Sequence, residues 1–121
     1  MSAERMGENT DTVFHKIMRK ELPATFVYED DTCFAIKDLN PVAPVHYLII
    51  PRKTIANLAA AEEADEPILG HLLYVASKLA KQEKLDDGYR ICMNTKAHAC
   101  QTVYQLHVHL IGGRQLSVQF A

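Results

Sequence analysis

The residues best suited to chemistry lie near the carboxyl end of the 121-residue chain, in the stretch Gln105-Leu106-His107-Val108-His109. Side chains alternate between the two faces of a β-strand, so a strand here places Gln105, His107 and His109 on one face. The apolar residues between them then pack on the opposite face. One surface of the sheet is therefore expected to carry two imidazoles and an amide.

Three interpretations fit this histidine pair. It can be a solvated pair on the open face of a half-buried sheet, without a function. It can hold a metal, because His107 and His109 with His46 from another strand supply the three imidazoles of a catalytic zinc site. It can also perform nucleophilic catalysis, since a neutral imidazole attacks well near pH 7 and a second one can donate a proton. The polar segment at residues 94–102 could hold a phosphoryl oxygen, so phosphorus is the expected electrophile.

The elements that position these residues follow from periodicity and turn residues. Apolar residues at helical spacing from Val13 to Met18 predict a short helix that breaks before Pro23, and a longer amphipathic helix is predicted at residues 65–80. β-branched and aromatic runs predict strands at residues 25–28, 32–36, 46–50, 90–94 and 106–111. Since strands and helices do not alternate, the fold class is α+β: a five-stranded, mainly antiparallel sheet with one long and one short helix.

Composition narrows the class of protein. Hydrophobic residues make up 48% and charged residues 23% of the chain, as in a globular domain, so we expect one domain at residues 12–121 after a flexible segment at 1–11. A formal net charge of −2 without a basic cluster argues against DNA or RNA binding. No apolar run approaches the roughly 20 residues that span a bilayer, so no membrane partner is expected. Without a secretory leader, the expected compartment is the cytoplasm or the nucleus.

The three cysteines and the remaining histidines have structural interpretations. The cysteine spacings match neither a disulfide framework nor a paired zinc motif, and we expect small buried apolar residues, with the last one more exposed: Cys33, Cys92 and Cys100. Three further histidines lie among polar neighbours and are expected to face solvent: His15, His71 and His98.

A known family matches these residues in order and spacing. The segment Gln105–Ile111 corresponds to a His-φ-His-φ-His-φ-φ signature and is followed by Gly112-Gly113-Arg114. Further matches at residues 14–17, 29–31, 38–41 and 88–90 extend the similarity from Val13 to Gln115. The chain thus resembles the histidine triad nucleotide hydrolases, in particular the branch of nucleotide-binding proteins that act as purine nucleoside phosphoramidases. The resemblance implies a homodimer that continues the sheet across its axis.

The resemblance also implies catalytic roles. His107 falls on the nucleophile that takes the nucleotidyl group, and His109 falls on the histidine that bonds the scissile linkage and protonates the leaving group. His46 matches a supporting histidine from a separate strand. Gln105 replaces the first signature histidine, and an amide cannot take up a proton at pH 7. If the position orients its neighbours the exchange is tolerated, whereas a proton-transfer role would lose about 10²–10⁴ in rate.

Binding roles follow in the same way. Asp38 matches the carboxylate that accepts both ribose hydroxyls, while Asn94 and Thr102 match groups that contact phosphate oxygens or the leaving group. The apolar walls around the purine fall on four residues that would equally serve core packing: Phe14, Ile17, Ile36 and Leu39.

Two further departures concern the leaving group. Ala99-Cys100 stands where many members have a glycine pair, and the tail at residues 116–121 lacks their Trp-Pro-Pro ending. The expected function is cleavage of the P–N bond of purine nucleoside 5′-monophosphoramidates, with neither a cofactor nor a metal. The alternatives are a dinucleoside polyphosphate hydrolase, a nucleotide-binding regulatory protein weakened by Gln105, and a zinc-binding adaptor.

Overall fold

The computed structural model describes residues 11–119, so most of the expected flexible segment at 1–11 lies outside the described residues. The helices and strands of this part are α1 (Val13–Met18), β1 (Phe26–Glu29), β2 (Cys33–Lys37), β3 (Val45–Pro51), α2 (Glu66–Gln82), β4 (Tyr89–Cys92) and β5 (Val108–Gly112). The predicted helices and strands are present, and the predicted ends differ from these by one or two residues.

The five strands form one sheet in the order β1-β2-β3-β5-β4, and each neighbouring pair is antiparallel. The predicted α+β architecture, with one long and one short helix, is confirmed. Strand β3 lies at the centre and is buried along its whole length, whereas β1 and β4 form the edges of the sheet. No helix within residues 11–119 is long and apolar enough to cross a membrane.

The two faces of the sheet carry different cores because side chains alternate along each strand. Helix α2 covers one face, where its Leu72 and Leu79 pack into a cluster with Ile49 of β3. Helix α1 covers part of the other face, where Phe14 and Ile17 close over a smaller apolar cluster. Full burial of a side chain such as Leu contributes about 1.5–3 kcal/mol, so these contacts fix the position of both helices.

The last strand begins later than predicted. Pairing of β5 with β3 starts at Val108, opposite Ile49, and not at Leu106. Leu106 instead donates its backbone N–H to the carbonyl of Ile55, at 2.7 Å. Residues 105–107 therefore pack against the segment that comes after β3, and the side chain of Gln105 is directed toward that segment.

The prediction for His15 is also wrong. The side chain is only 4% exposed and lies between α1 and the segment after β3. Its Nδ1 accepts the backbone N–H of Thr12 at 3.1 Å, and its Nε2 lies 3.1 Å from the hydroxyl of Thr54. His15 completes a capping box at the start of α1, so a polar residue at this position is required by the helix end.

Candidate functional site

Antiparallel pairing of β3 and β5 brings two of the predicted histidines into contact. Leu48 of β3 lies opposite His109 of β5, and His46 lies two residues before Leu48 on the same face. The Nε2 of His46 is 2.9 Å from the Nδ1 of His109. The His107 ring centre is 5.2 Å from that of His109 and meets Phe14 of α1 edge-on at 4.9 Å. Three predicted imidazoles thus form one cluster.

Hydrogen-bond partners fix the tautomers of two of these rings. The backbone N–H of Val42 donates to Nδ1 of His46 at 3.2 Å, so a neutral His46 carries its hydrogen on Nε2. This hydrogen is donated to Nδ1 of His109, which leaves His109 with its own hydrogen on Nε2. That Nε2 is buried and has no hydrogen-bond partner within residues 11–119. A buried N–H without a partner is costly, and a ligand oxygen or nitrogen would satisfy it.

His107 has the opposite arrangement. Its Nδ1 donates to the backbone carbonyl of Gln105 at 2.8 Å, so in the neutral ring Nε2 bears the lone pair. The histidine pair therefore offers one nitrogen that can attack, on His107, and one that can donate, on His109.

Burial keeps this arrangement uncharged near neutral pH. Desolvation lowers the pKa of His107, although the bond to the Gln105 carbonyl and the charge of Asp38 act in the other direction. Desolvation likewise lowers the pKa of His46, against the raising effect of Asp38. For His109, burial together with repulsion from the other two rings lowers the pKa to about 4. All three imidazoles are thus neutral at pH 7, as the tautomer assignment requires.

The cluster opens into a cavity of about 300 Å³ between α1, β2 and the loop before β5. Nine of the predicted site residues line it: Phe14, Ile17, Ile36, Asp38, Leu39, Asn94, Thr102, His107 and His109. Leu39 is 85% exposed, an unusual state for a large apolar side chain at a cavity rim. Two larger clefts of about 500 and 600 Å³ elsewhere are lined by no histidine.

Asp38 connects the cavity to the histidine cluster. One carboxylate oxygen accepts the backbone N–H of Asn40 at 2.8 Å, and the other lies 3.4 Å from Nε2 of His46. The side chain is one-fifth exposed, so it remains accessible to a ligand. Its position depends on a backbone bond from its own N–H to the carbonyl of His46.

Gln105 does not share the histidine surface, which corrects the expectation from strand alternation. Its side chain is 1% exposed and bonds to three backbone groups at the end of β3 and just after it, the carbonyls of Pro51 and Lys53 and the N–H of Ile55, at 2.8–3.1 Å. Only an amide offers two N–H donors and one acceptor to satisfy all three. Gln105 reaches the site through its backbone carbonyl, which orients His107.

Several residues of the cavity escaped sequence reasoning. The wall also includes Val13, Pro23, Ala24, Lys37, Asn40, Leu48 and Val103. Strand alternation could have found Leu48, which lies two residues after His46. The role of Val42 in fixing the His46 tautomer left no signal in the sequence, because it comes from a backbone group. Arg114 supports this group by donating to the Val42 carbonyl at 2.7 Å.

The loop that carries Asn94 and Thr102 is held by Gln101, a further residue that sequence reasoning missed. Its side chain is 7% exposed and accepts the backbone N–H of Lys96 at 2.8 Å. It also donates to the carbonyls of Ala56 and Val103, at 2.8 and 3.0 Å. These bonds place both ends of the loop against the segment after β3.

The zinc interpretation of the histidine cluster does not fit this geometry. Asp38, His46 and His109 do have ligand atoms within 4.8 Å of one another. However, Nε2 of His46 carries a hydrogen as long as Nδ1 accepts the Val42 N–H, and it then has no lone pair for a cation. His107 has no ligand atom within 4.8 Å of all three, so it does not complete this group.

Comparisons with known proteins place this geometry in context. The family model described as HIT domain matches residues 19–116. The chain is 51% identical over 118 residues to the 14 kDa zinc-binding protein of Zea mays. The aligned region covers 96% of this chain and 92% of that protein. A HIT family hydrolase from Clostridium thermocellum superposes with a TM-score of 0.89 at 42% identity, covering 93% of this chain and 99% of that one. A histidine triad nucleotide-binding protein from Candida albicans gives a TM-score of 0.80 at 30% identity, covering 92% and 83%.

Proposed function

The chain belongs to the HIT domain family and is a hydrolase-type protein with a nucleotide-binding fold, and from this premise we propose that it cleaves the P–N bond of purine nucleoside 5′-monophosphoramidates. One observation carries the proposal. His107, with a lone pair on Nε2, and His109, with an N–H on Nε2, both line one cavity of about 300 Å³. Attack and departure at one phosphorus atom need this pair of opposite groups.

The proposed reaction has two steps. The lone pair on Nε2 of His107 forms a bond to phosphorus as the P–N bond breaks. The Nε2–H of His109 holds the departing nitrogen by a hydrogen bond while that nitrogen takes up a proton from solvent, so His109 stays neutral. The products of this step are an amine and a nucleotidyl-histidine. Water then displaces the nucleotide from His107, and its protons replace the one that left with the amine. Over the cycle one water is consumed, and a nucleoside 5′-monophosphate and an amine are released.

The nucleotide is proposed to lie along the cavity with its base between α1 and β2. Phe14 and Ile17 supply one apolar wall, and the exposed Leu39 would be covered by the base. Asp38 offers acceptor oxygens to the ribose hydroxyls, as a carboxylate has no donor and several lone pairs. Asn94 and Thr102 line the same cavity and offer an amide and a hydroxyl as donors to the phosphate oxygens.

The proposal is tested with an adenosine 5′-phosphoramidate and the variant His107→Ala. We expect turnover to fall by at least 10³ while the Kd for AMP changes less than threefold, because the attacking nitrogen is lost but the walls remain. The control is His98→Ala, which removes an exposed histidine outside the cavity and should leave both values unchanged. Full turnover in His107→Ala would contradict the assignment.

Two other functions are separated by the same assay. Faster turnover of a diadenosine polyphosphate than of the phosphoramidate would identify a dinucleoside polyphosphate hydrolase. AMP binding without turnover of either substrate would identify a nucleotide-binding regulatory protein. The three bonds of the Gln105 side chain favour retained catalysis, because the residue supports the site without carrying a proton.

Zinc is not part of the proposed reaction. The zinc-binding protein of Zea mays is named for a zinc ligand, but the hydrogen on Nε2 of His46 opposes zinc binding at the histidine cluster of this chain. The attack and donation described above need no cation, since the imidazoles themselves supply both groups.

We also propose a C₂ homodimer that continues the sheet through β4. This strand is an edge of the sheet, and unpaired edges are usually covered or paired. Large apolar side chains are exposed on α2 and β4, at Leu73, Tyr74 and Tyr89. Sedimentation at several concentrations should give twice the monomer mass of 13.6 kDa, and a concentration-independent monomer would contradict the proposal.

A further inference from the structure

A second group of potential metal ligands lies where the β1–β2 hairpin meets helix α2. Asp30 occupies the turn, Cys33 begins β2 and His71 lies on α2. One ligand atom from each lies within 4.8 Å of the other two. None of the three lines the histidine cavity, so this cluster is separate from the proposed reaction.

The carboxylate of Asp30 is held in one orientation. Its Oδ1 accepts the backbone N–H groups of Thr32 and Cys33, both at 2.8 Å, and its Oδ2 accepts the hydroxyl of Tyr28 at 2.7 Å. Three donors thus hold the carboxylate in place, as is typical of carboxylates that hold metals.

The two other side chains both approach the same oxygen of Asp30. Nε2 of His71 lies 2.6 Å from Oδ2 of Asp30, and Sγ of Cys33 lies 3.9 Å from the same oxygen. Cys33 is fully buried, whereas the His71 side chain is one-third exposed. The cluster is therefore in contact with solvent at His71, whereas the sulfur lies on its buried side.

The spacing is close to what a tetrahedral zinc ion needs. At zinc bond lengths, an oxygen and a nitrogen ligand stand about 3.3 Å apart, and an oxygen and a sulfur about 3.6 Å. The sulfur–oxygen distance agrees with this value within about 0.3 Å. A shift of the one-third exposed His71 ring by about 0.7 Å would bring the nitrogen–oxygen distance to its value.

We propose that Asp30, Cys33 and His71 form a zinc-binding site with water in the fourth position. Binding replaces the hydrogen bond between Nε2 of His71 and Asp30: the Nε2 hydrogen is exchanged through solvent for one on Nδ1, which frees the Nε2 lone pair for the metal. The thiol hydrogen of Cys33 leaves to solvent as a proton. The Tyr28 hydroxyl remains bonded to Asp30. A thiolate, an imidazole and one carboxylate form a donor set suited to zinc, and magnesium or calcium would require more oxygen ligands.

The site has a structural consequence. A cation bound here would link the β1–β2 hairpin to α2 through Asp30 and His71, which lie 41 residues apart in the chain. Since the metal binds the folded state, added zinc should raise the Tm in a concentration-dependent way.

The test uses Co²⁺ and Zn²⁺ alone with the full chain. We expect one Co²⁺ per chain with a sulfur-to-cobalt charge-transfer absorption, and displacement of this absorption by Zn²⁺. Cys33→Ala should abolish the absorption, and His71→Gln, a change on the helix surface, should weaken Zn²⁺ binding at least tenfold. The controls Cys100→Ser and His109→Asn remove an exposed thiol and a cavity imidazole and should leave the absorption unchanged.

Several outcomes would overturn the proposal. Absence of the absorption, or no change of Tm with zinc, would show that the three side chains form only a hydrogen-bonded contact between the hairpin and α2. Retention of the absorption in Cys33→Ala, or its loss in Cys100→Ser, would place the cation elsewhere. Loss of Zn²⁺ binding in His109→Asn would assign it to the histidine cavity. Phosphoramidate turnover is not a readout here, so failure of this site leaves the proposed function untouched.

Discussion

At the level of single residues, Gln105 shows how one position can act through its backbone and its side chain separately. The carbonyl orients His107, whereas the amide bonds to Pro51, Lys53 and Ile55. A histidine at this position would keep the carbonyl and lose part of the amide bonding, because its ring has two nitrogens for three partners.

Gln105→His should therefore affect stability more than turnover. We expect the free energy of unfolding to fall by about 1–3 kcal/mol, since a buried backbone group is left without a partner. Turnover should change less than tenfold, measured as kcat/KM for the phosphoramidate. A rise of 10²–10⁴ with a new ionisation in the pH–rate profile would instead show that this position transfers a proton.

At the level of elements, the loop before β5 adopts a backbone that its sequence does not favour. Cys100 has φ 61° and ψ 38°, the left-handed conformation in which a Cβ costs about 1–2 kcal/mol. Ala99, its neighbour, is not among the residues with positive φ. Of the two residues that replace the family's glycine pair, Cys100 is therefore strained and Ala99 is not.

Two glycine substitutions test this difference. Cys100→Gly should stabilise the protein by about 0.5–1 kcal/mol, because relief of the left-handed strain outweighs the added freedom of the unfolded chain. Ala99→Gly should destabilise it by a similar amount, since only the entropic effect operates there. Urea unfolding gives both values, and equal effects of the two changes would show that the φ of Cys100 carries no strain.

At the level of the whole molecule, buried neutral histidines link stability to pH. Burial lowers the pKa of His15, His46, His107 and His109 in the folded state, the last to about 4. In the unfolded chain these rings take up protons near pH 6.5. Below that value the unfolded state binds more protons, so folded stability decreases as the pH falls toward 4.

We therefore expect the free energy of unfolding to decrease between pH 7 and pH 5 by about 1.4 kcal/mol per pH unit for each proton taken up. Urea unfolding at several pH values gives the slope. His109→Asn should reduce the slope by up to one proton, because it removes the ring whose pKa falls furthest, to about 4. A stability independent of pH in this range would mean that the buried rings titrate normally.

Local patterns in the sequence determined the elements and most of the cavity. Apolar periodicity gave both helices, alternation placed Leu106, Val108 and Leu110 against α2, and family resemblance assigned the cavity residues. These features depend on neighbours a few positions apart, which the sequence shows directly. They sufficed for the fold and for the location of the histidine pair.

The tertiary structure decided which partner each polar group has. His46 and His109 are 63 residues apart, and the Val42 N–H determines which nitrogen of each carries a hydrogen. The side chains of Gln105 and His15 are buried against the segment after β3, where alternation and polarity predicted exposed or site-facing positions. Hydrogen-bond partners are set by the packing of distant segments, because each buried donor and acceptor must be satisfied in three dimensions. No spacing rule along the chain encodes that choice.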